Sequence, residues 1–254
     1  MLFPSDCLYG INPVAEAVRA GRRELRRCWL NREMSQNPRL KRLLHLLETH
    51  NVPVEFGDKG KLFSLCGTRE HQGAVLECGT FPYTPYADVL GKVRLVLLDS
   101  VEDPHNVGAI LRSAEVFGWD AVLLPRRGAP LILPSVAKSS AGACEHLTIC
   151  CNCSPNQYVK IAMEEGYEVA ALDGGGTVPL ADLASKAPAK LLLVVGGEDS
   201  GVSQFILNNA QHVVSIPQKG KVNSLNASVA AGLALYALQS ETKEVADGGE
   251  DGHA

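Results

Sequence analysis

No stretch of this sequence approaches the roughly 18 consecutive apolar residues that a membrane-crossing helix needs. Residues 1–10 also lack the basic and apolar regions of a secretory signal, so the expected location is the cytoplasm, away from membranes. Aromatic residues make up 6% of the chain and charged residues 20%, against 46% hydrophobic, a balance that excludes a disordered polymer. There is no P-loop, no nucleophile elbow and no G-x-G-x-x-G spacing, which removes the commonest signals of phosphate-cradling, acyl-transfer and dinucleotide-binding enzymes. The three glycines of Leu172–Thr177 (LDGGGT) lack that spacing and are expected to form a mobile turn. A zinc site is also short of ligands. His146, Cys150, Cys151 and Cys153 contain one Cys-x-x-Cys pair and no second pair to complete four, so these thiols are expected on a strand and no metal is expected.

What is present is a 254-residue, 27.1 kDa chain, long enough for one large domain or two small ones. Its eight cysteines, in a chain without an export signal, are expected as reduced thiols. The formal charge of −4 is unevenly spread. Between residues 19 and 42, Arg19, Arg22, Arg23, Arg26, Arg27, Arg32, Arg39, Lys41 and Arg42 face only Glu24 and Glu33. Such a stretch fits either a solvated face or the footprint of a polyanion, since phosphate neutralisation supplies most non-specific affinity for nucleic acid. On the second reading Arg19, Arg22, Arg23, Arg26 and Arg27 are the candidate RNA contacts.

The periodicities predict two units. In residues 1–80, Asn12-Pro13 and Asn37-Pro38 are helix starts, and Leu40, Leu43, Leu44 and Leu47 follow the second at the spacing of one buried face. Strand-like runs at 25–30, 52–56 and 74–78 complete a small α/β domain. Residues 81–92 carry two prolines and two tyrosines without a period and are expected as a linker. In residues 93–240, apolar runs at 93–98, 121–124, 147–151, 167–172, 191–195 and 213–216 alternate with helix-length stretches, the pattern of a mostly parallel sheet covered on both faces. Residues 241–254 are acidic and glycine-rich and are expected to be disordered.

Three polar segments each follow a predicted strand, where α/β sheets place their ligand sites. In DPHNVGAILRSAEVFG, Asn106 is expected to cap a helix whose apolar face is Val107, Ile110, Leu111, Ala114 and Phe117, leaving Arg112 within it, with a surface arginine on the helix's wet side as the plain alternative. In GGEDSGVS, Gly196-Gly197 lets a ligand approach the backbone and Glu198 adds a carboxylate; an ordinary strand-to-helix turn is the plain alternative. IPQKGKVNSLNAS is more polar than a tight connection requires and reads as a binding loop before the helix 229–238.

These three motifs, in this order and spacing, resemble the SpoU family of S-adenosylmethionine-dependent RNA ribose 2'-O-methyltransferases. Residues 8–79, opening LYGINPVAEAV and closing HQGAVLEC, resemble that family's RNA-binding domain of ribosomal-protein-like fold. The resemblance implies a C-terminal trefoil knot and a homodimer with active sites at its interface. It also implies catalytic roles for Asn106, Arg112, Glu198, Ser224 and Asn226, and a cofactor pocket at Gly196, Gly197, Ile216, Leu225 and Asn226. The implied substrate is a guanosine ribose of large-subunit (23S) ribosomal RNA. Transfer RNA, or a non-catalytic role in RNA binding or ribosome assembly, are the alternatives.

Overall fold

The computed structural model describes residues 7–186, 188–221 and 224–240. The acidic segment 241–254, expected to be disordered, lies outside the described residues. Two sheets organise the chain. The first combines β1 (Cys7–Tyr9), β2 (Leu25–Asn31), β3 (Val54–Gly57) and β4 (Ala74–Cys78) in the order β1-β4-β2-β3, with only β2 and β3 parallel. Helices α1 (Ile11–Ala20), α2 (Pro38–Thr49) and α3 (Lys59–Cys66) pack against it. The start of α2 follows its sequence signal, since Asn37 Oδ1 accepts the Arg39 N–H at 2.9 Å ahead of Pro38. The start of α1 does not. The helix begins at Ile11 after Gly10, whose φ of 98° turns the chain, and Asn12 instead accepts a hydrogen bond from Arg39 Nη2 at 2.9 Å.

The second sheet holds seven strands, all neighbours parallel: β5 (Arg94–Asp99), β6 (Ala121–Leu123), β7 (Thr148–Cys150), β8 (Glu168–Leu172), β9 (Val178–Pro179), β10 (Leu191–Gly196) and β11 (His212–Ser215). Their order is β7-β6-β5-β10-β8-β11-β9. The continuous apolar runs arise because both faces are covered. In β5, Val96 and Leu98 join the cluster with α4 (Pro104–Val116) and α9 (Ala227–Ala237), while Leu95 and Leu97 pack with Tyr158, Val159 and Ala162 of α6 (Pro155–Glu164). Three short helices complete the two faces, α5 (Pro134–Ser139) and α7 (Leu180–Lys186) in the cluster of α4 and α9, and α8 (Gln204–Asn209) in that of α6.

The strand order carries the threading that the resemblance implies. The late strand β11 lies between β8 and β9, so the connection 173–177 crosses the end of β11. That crossing is close: a Cβ added to Gly176 would sit 2.6 Å from the Val214 carbonyl carbon and 2.8 Å from the Ser215 nitrogen. Of the three glycines in Leu172–Thr177, Gly176 is therefore the spacing element of the crossing, whereas Gly174 and Gly175 meet no backbone there.

Residues 81–92 are packed, unlike a loose linker. Phe81, Tyr86 and Val89 are buried, and the Tyr86 ring meets Tyr158 edge-on at 4.8 Å with its hydroxyl donating to the Tyr158 carbonyl at 3.1 Å. Tyr83 Oη accepts the Ile132 N–H at 2.7 Å. Anchoring by ring edges and hydroxyls in an irregular segment leaves no period to read.

The arginine-rich segment is also built differently from the expectation. Arg23 is 6% exposed and makes a bidentate pair with the buried Glu145, at 2.9 and 2.8 Å. Burial opposes its charge, but the hydrogen bonds and attraction of Glu145 outweigh this and hold its pKa above the ordinary arginine value. Arg22 donates to the carbonyls of Glu145, Leu147 and Pro82. Both side chains thus tie the first sheet to the second, which removes Arg22 and Arg23 from the candidate RNA contacts. Arg19, Arg26 and Arg27 remain on the surface, paired with Glu16, Glu24 and Glu55.

None of the eight cysteines is in a disulfide. Burial pushes Cys144 up to about 12 and Cys78 to about 11, so these thiols stay protonated and behave as small apolar side chains.

Replacing Glu145 by alanine leaves the Arg23 guanidinium buried without its partner and is expected to cost about 3–5 kcal/mol. Arg27→Ala, which breaks the exposed pair with Glu55, is expected to cost under about 1 kcal/mol. Equilibrium urea unfolding of both variants checks this contrast.

Candidate active site

The carboxyl ends of β5 and β10 lie side by side at the centre of the sheet, with Asp99 and Gly196 in register. On one side of this pair the chain runs to β6 and β7, on the other to β8, β11 and β9, the arrangement that opens a crevice in parallel sheets. Motif residues from both strands and from the segment after β11 meet there. The cap of α4 is Asp103, whose Oδ1 accepts the His105 N–H at 2.9 Å, so Asn106 stands inside the first turn and not at the cap expected for it. Its side chain is consequently free to point at the crevice. Asn106 Nδ2 donates to Glu198 Oε1 at 3.1 Å, and Asn106 Oδ1 accepts from Asn226 Nδ2 at 3.0 Å. Asn226 Nδ2 also donates to Glu198 Oε1, closing a three-residue ring.

Asn226 has a second task as the cap of α9, its Oδ1 accepting the Ser228 N–H at 3.0 Å and the Val229 N–H at 3.3 Å. Cap geometry thereby fixes which end of the amide faces the ring. Glu198 Oε2 accepts no hydrogen bond from the described residues and is open to a ligand's donor.

Beside this ring lies a cavity whose walls include Gly196, Gly197, Glu198, Ile216, Ser224 and Leu225. It gathers four of the five expected cofactor positions; Asn226, the fifth, stands in the adjoining ring. Leu172, Asp173, Gly174 and Gln218 line it as well. Sequence reading missed these four. The available signal was their position, three of them at or directly after the end of a predicted strand. The two glycines at the end of β10 serve a different purpose from the one expected. A Cβ on Gly196 would overlap the Gly201 and Val202 backbone, and one on Gly197 would overlap the Ser100 carbonyl. Neighbouring chain, not a ligand, occupies that space. Gly174 is the opposite case, because a Cβ there meets no atom within 4 Å, so this glycine leaves the cavity wall open. Leu172, Val195, Ile216 and Leu225 offer apolar walls for a flat ring, while Asp173, Ser224 and Gln218 supply polar groups. The residues present therefore fit a nucleoside-bearing cofactor.

Arg112 is not part of this group. It lies six residues after Asn106, about 9 Å further along α4 and on another face. There it is exposed and lines a separate cavity with Asn12, Glu16, Ser140 and His146. Helical periodicity therefore keeps Arg112 from meeting Glu198 and Asn226 within one chain. His146 itself is engaged with Glu16 Oε2 at 2.9 Å. Among the described residues, no group of three or more His, Cys, Asp or Glu side chains is placed to hold a metal ion.

The dual use of Asn226 can be separated by substitution. Asn226→Ala is expected to lose the cap of α9 and about 1 kcal/mol of stability. Asn226→Asp should keep the cap yet set a second carboxylate against Glu198, so that it unfolds near the wild-type temperature while losing ligand binding at the cavity. Thermal unfolding with and without S-adenosylhomocysteine distinguishes the two.

Both parts of the chain match known family models. The SpoU rRNA Methylase family matches residues 93–236, and the domain described as RNA 2'-O ribose methyltransferase substrate binding matches residues 7–84. An uncharacterised tRNA/rRNA methyltransferase of Synechocystis is 30% identical over 92% of this chain, which spans 62% of that relative's length. A protein of Staphylococcus haemolyticus assigned to the TrmH family of tRNA/rRNA methyltransferases is 30% identical over 94% of this chain and 97% of its own. In structure, the chain is similar to the SpoU methyltransferase AviRb of Streptomyces viridochromogenes in complex with AdoMet, with a TM-score of 0.75, 24% identity, and coverage of 91% and 88% of the two chains. An AdoMet-bound rRNA methyltransferase of Sinorhizobium meliloti gives a TM-score of 0.75 at 20% identity, covering 91% of this chain and 85% of its own. With a crossed parallel sheet, motif residues drawn together at its centre, and both parts of the chain matched, this protein belongs to the SpoU rRNA methylase family.

Proposed function

We propose that this protein methylates the 2'-hydroxyl of a guanosine ribose in large-subunit ribosomal RNA, working in the cytoplasm as a homodimer. Its family is one of S-adenosylmethionine-dependent RNA 2'-O-methyltransferases, and the observation that carries the reading is the closed Asn106–Glu198–Asn226 ring beside the glycine-walled cavity. The amino-terminal substrate-binding region supports RNA as the substrate, and the description of the carboxyl-terminal family as rRNA methylases supports ribosomal RNA. Transfer RNA is the rival, and a binding role without catalysis is a further outcome of the tests below.

When bound, the cofactor supplies an electrophilic methyl group on its sulfonium. The chain must place the ribose oxygen against that methyl, let the hydroxyl proton leave, and stabilise the charge that develops on oxygen. Asn106 and Asn226 orient Glu198 through its Oε1, leaving Oε2 to accept from a ribose hydroxyl or a cofactor amine. Ser224, on the cavity wall, adds a hydroxyl to the same polar edge. An arginine guanidinium keeps its proton in a protein, so Arg112 is assigned the role of a clamp. Its fork holds the neighbouring phosphate and favours the alkoxide, while the proton leaves through that phosphate or a water.

The distance of Arg112 from its own cavity supports a dimeric site. On α9, Val229, Leu233 and Tyr236 are exposed at 51%, 46% and 60%, opposite the buried Ala231, Ala234 and Leu235. Val116 of α4 is exposed nearby, and Phe117 packs edge-on against Tyr236 at 5.4 Å. An apolar stripe of this kind fits burial against a second copy, through which Arg112 of one chain serves the cavity of the other.

Calorimetry is expected to show S-adenosylhomocysteine binding that Glu198→Ala weakens, and mapping of methylated riboses in ribosomal and transfer RNA from a deletion strain should show one guanosine of large-subunit RNA unmodified. A missing tRNA methyl instead would reassign the substrate, and no binding at all would leave only the non-catalytic role. Arg112→Lys is expected to lower kcat by about 10²-fold with cofactor binding unchanged; a loss of no more than a few-fold would remove the need for the fork. Leu233→Asp should convert a dimer to a monomer in sedimentation and abolish activity.

A further inference from the structure

The amino-terminal sheet carries a cavity of its own, about 530 Å³, lined by Asn31, Met34, Lys59, Phe63, Arg69 and His71 among others. Asn31, the last residue of β2, is 1% exposed. Its Oδ1 accepts the Glu33 N–H at 2.9 Å and its backbone N–H donates to the Gly73 carbonyl at 2.9 Å. Its side-chain Nδ2 is buried with no hydrogen-bond partner. A buried amide donor left unsatisfied is costly, and the partners that could quench it are fixed elsewhere. The facing turn is left-handed at Gln72 and Gly73, with φ of 51° and 86°, and the Gly73 N–H donates to His71 Nδ1 at 3.0 Å. That bond leaves the His71 proton on Nε2, a second donor. Burial, then the charges of Lys138 and Lys59, lower the His71 pKa and keep the ring neutral.

The rest of the lining is apolar and cationic. Phe63 is 46% exposed, a large ring left in solvent at the rim, and Met34 lies on the wall. Lys59 and Arg69 supply positive charge, with Glu33 drawing on Lys59 at 3.6 Å on the exposed side. Nearby Asp58 is committed to the start of α3, accepting the Lys61 N–H at 2.7 Å. Fixed donors inside, an exposed aromatic face at the rim and two cations beside it match a flat heterocycle with acceptor atoms, attached to phosphates.

We propose that this cavity receives one unpaired nucleotide of the RNA substrate, with its base against Phe63, an acceptor of that base on Asn31 Nδ2, and its phosphates between Lys59 and Arg69. The inference rests on the reading of RNA as substrate and goes further in naming single-stranded RNA and a base-reading site. An unpaired base is required because the edges of a duplex base pair are not presented to such a pocket. The site also lies apart from the five arginines first expected to contact RNA, two of which are spent on internal structure.

The test uses the full-length protein with a ten-nucleotide oligouridylate and a ten-base-pair RNA duplex at one fixed salt concentration. Asn31→Asp keeps the oxygen that holds Glu33 but replaces the donor with an acceptor, and is expected to weaken oligouridylate binding about tenfold. Phe63→Ala, at an exposed ring that leaves the core intact, is expected to weaken it at least about fivefold. Both should leave duplex affinity within about twofold of wild type, and S-adenosylhomocysteine binding unchanged. Oligouridylate affinity unaltered by Phe63→Ala, or equal losses for strand and duplex, would overturn the proposal whether or not Asn31→Asp folds. The two readings fail separately, since strand binding that falls as expected in a protein that does not bind S-adenosylhomocysteine keeps the nucleotide site and removes methyl transfer.

Discussion

The closeness of backbone to backbone at the centre of the sheet is the constraint on which the rest depends. Where residues 173–177 cross β11, and where the end of β10 passes residues 100 and 201–202, there is no room for a Cβ. Glycine at 176, 196 and 197 permits those approaches. Because the segments cannot separate without undoing the crossing, the loops that carry Asp173, Glu198 and Ser224 are held at one edge. A site on three loops would ordinarily lose rigidity to loop motion; here packing of main chain on main chain supplies it. The same device recurs in α4, where Gly108 lies so near Ser139 that any side chain would collide with it, seating the helix that presents Asn106.

Polar groups in this edge are economical in a physical sense, each amide serving two purposes. Asn226 caps a helix with its oxygen and steadies a carboxylate with its nitrogen, so the orientation needed for one task enforces the other. Glu198 is steadied through one oxygen and exposed at the second. Preorganisation of this kind lets a carboxylate meet a ligand without first being reoriented. Arg112 follows a different logic, since a stretch of helix separates it from Asn106 and no rotamer overcomes a change of helix face. In the dimer proposed above, its usefulness depends on the partner that covers the apolar stripe of α9.

The two sheets are joined by buried electrostatics as well as by a shared apolar cluster. The Arg23–Glu145 pair and the carbonyl contacts of Arg22 show how a charge-rich stretch can be structural in part. Net charge along a sequence counts these guanidiniums equally with those on the surface, although burial and pairing withdraw them from any solvent-facing potential. The unpaired amide of Asn31 shows the reverse case, a polar group that the fold buries without answering.

By itself the sequence determined the alternation of apolar runs with helices, hence a parallel sheet covered on both faces, and it determined the cap of α2 from Asn37-Pro38. Its three polar motifs marked Asn106, Glu198 and Asn226, because residue type and position after a strand are local properties. The tertiary structure alone decided which of these meet. It set Asn106 inside a helical turn with Asp103 at the cap, turned Arg112 to another face, and made the LDGGGT segment a wall of the cavity. It also buried Arg23 and packed residues 81–92 against Tyr158. Each of these depends on contacts between residues far apart in the chain, and the physical chemistry of a side chain changes with the neighbours that such contacts bring to it.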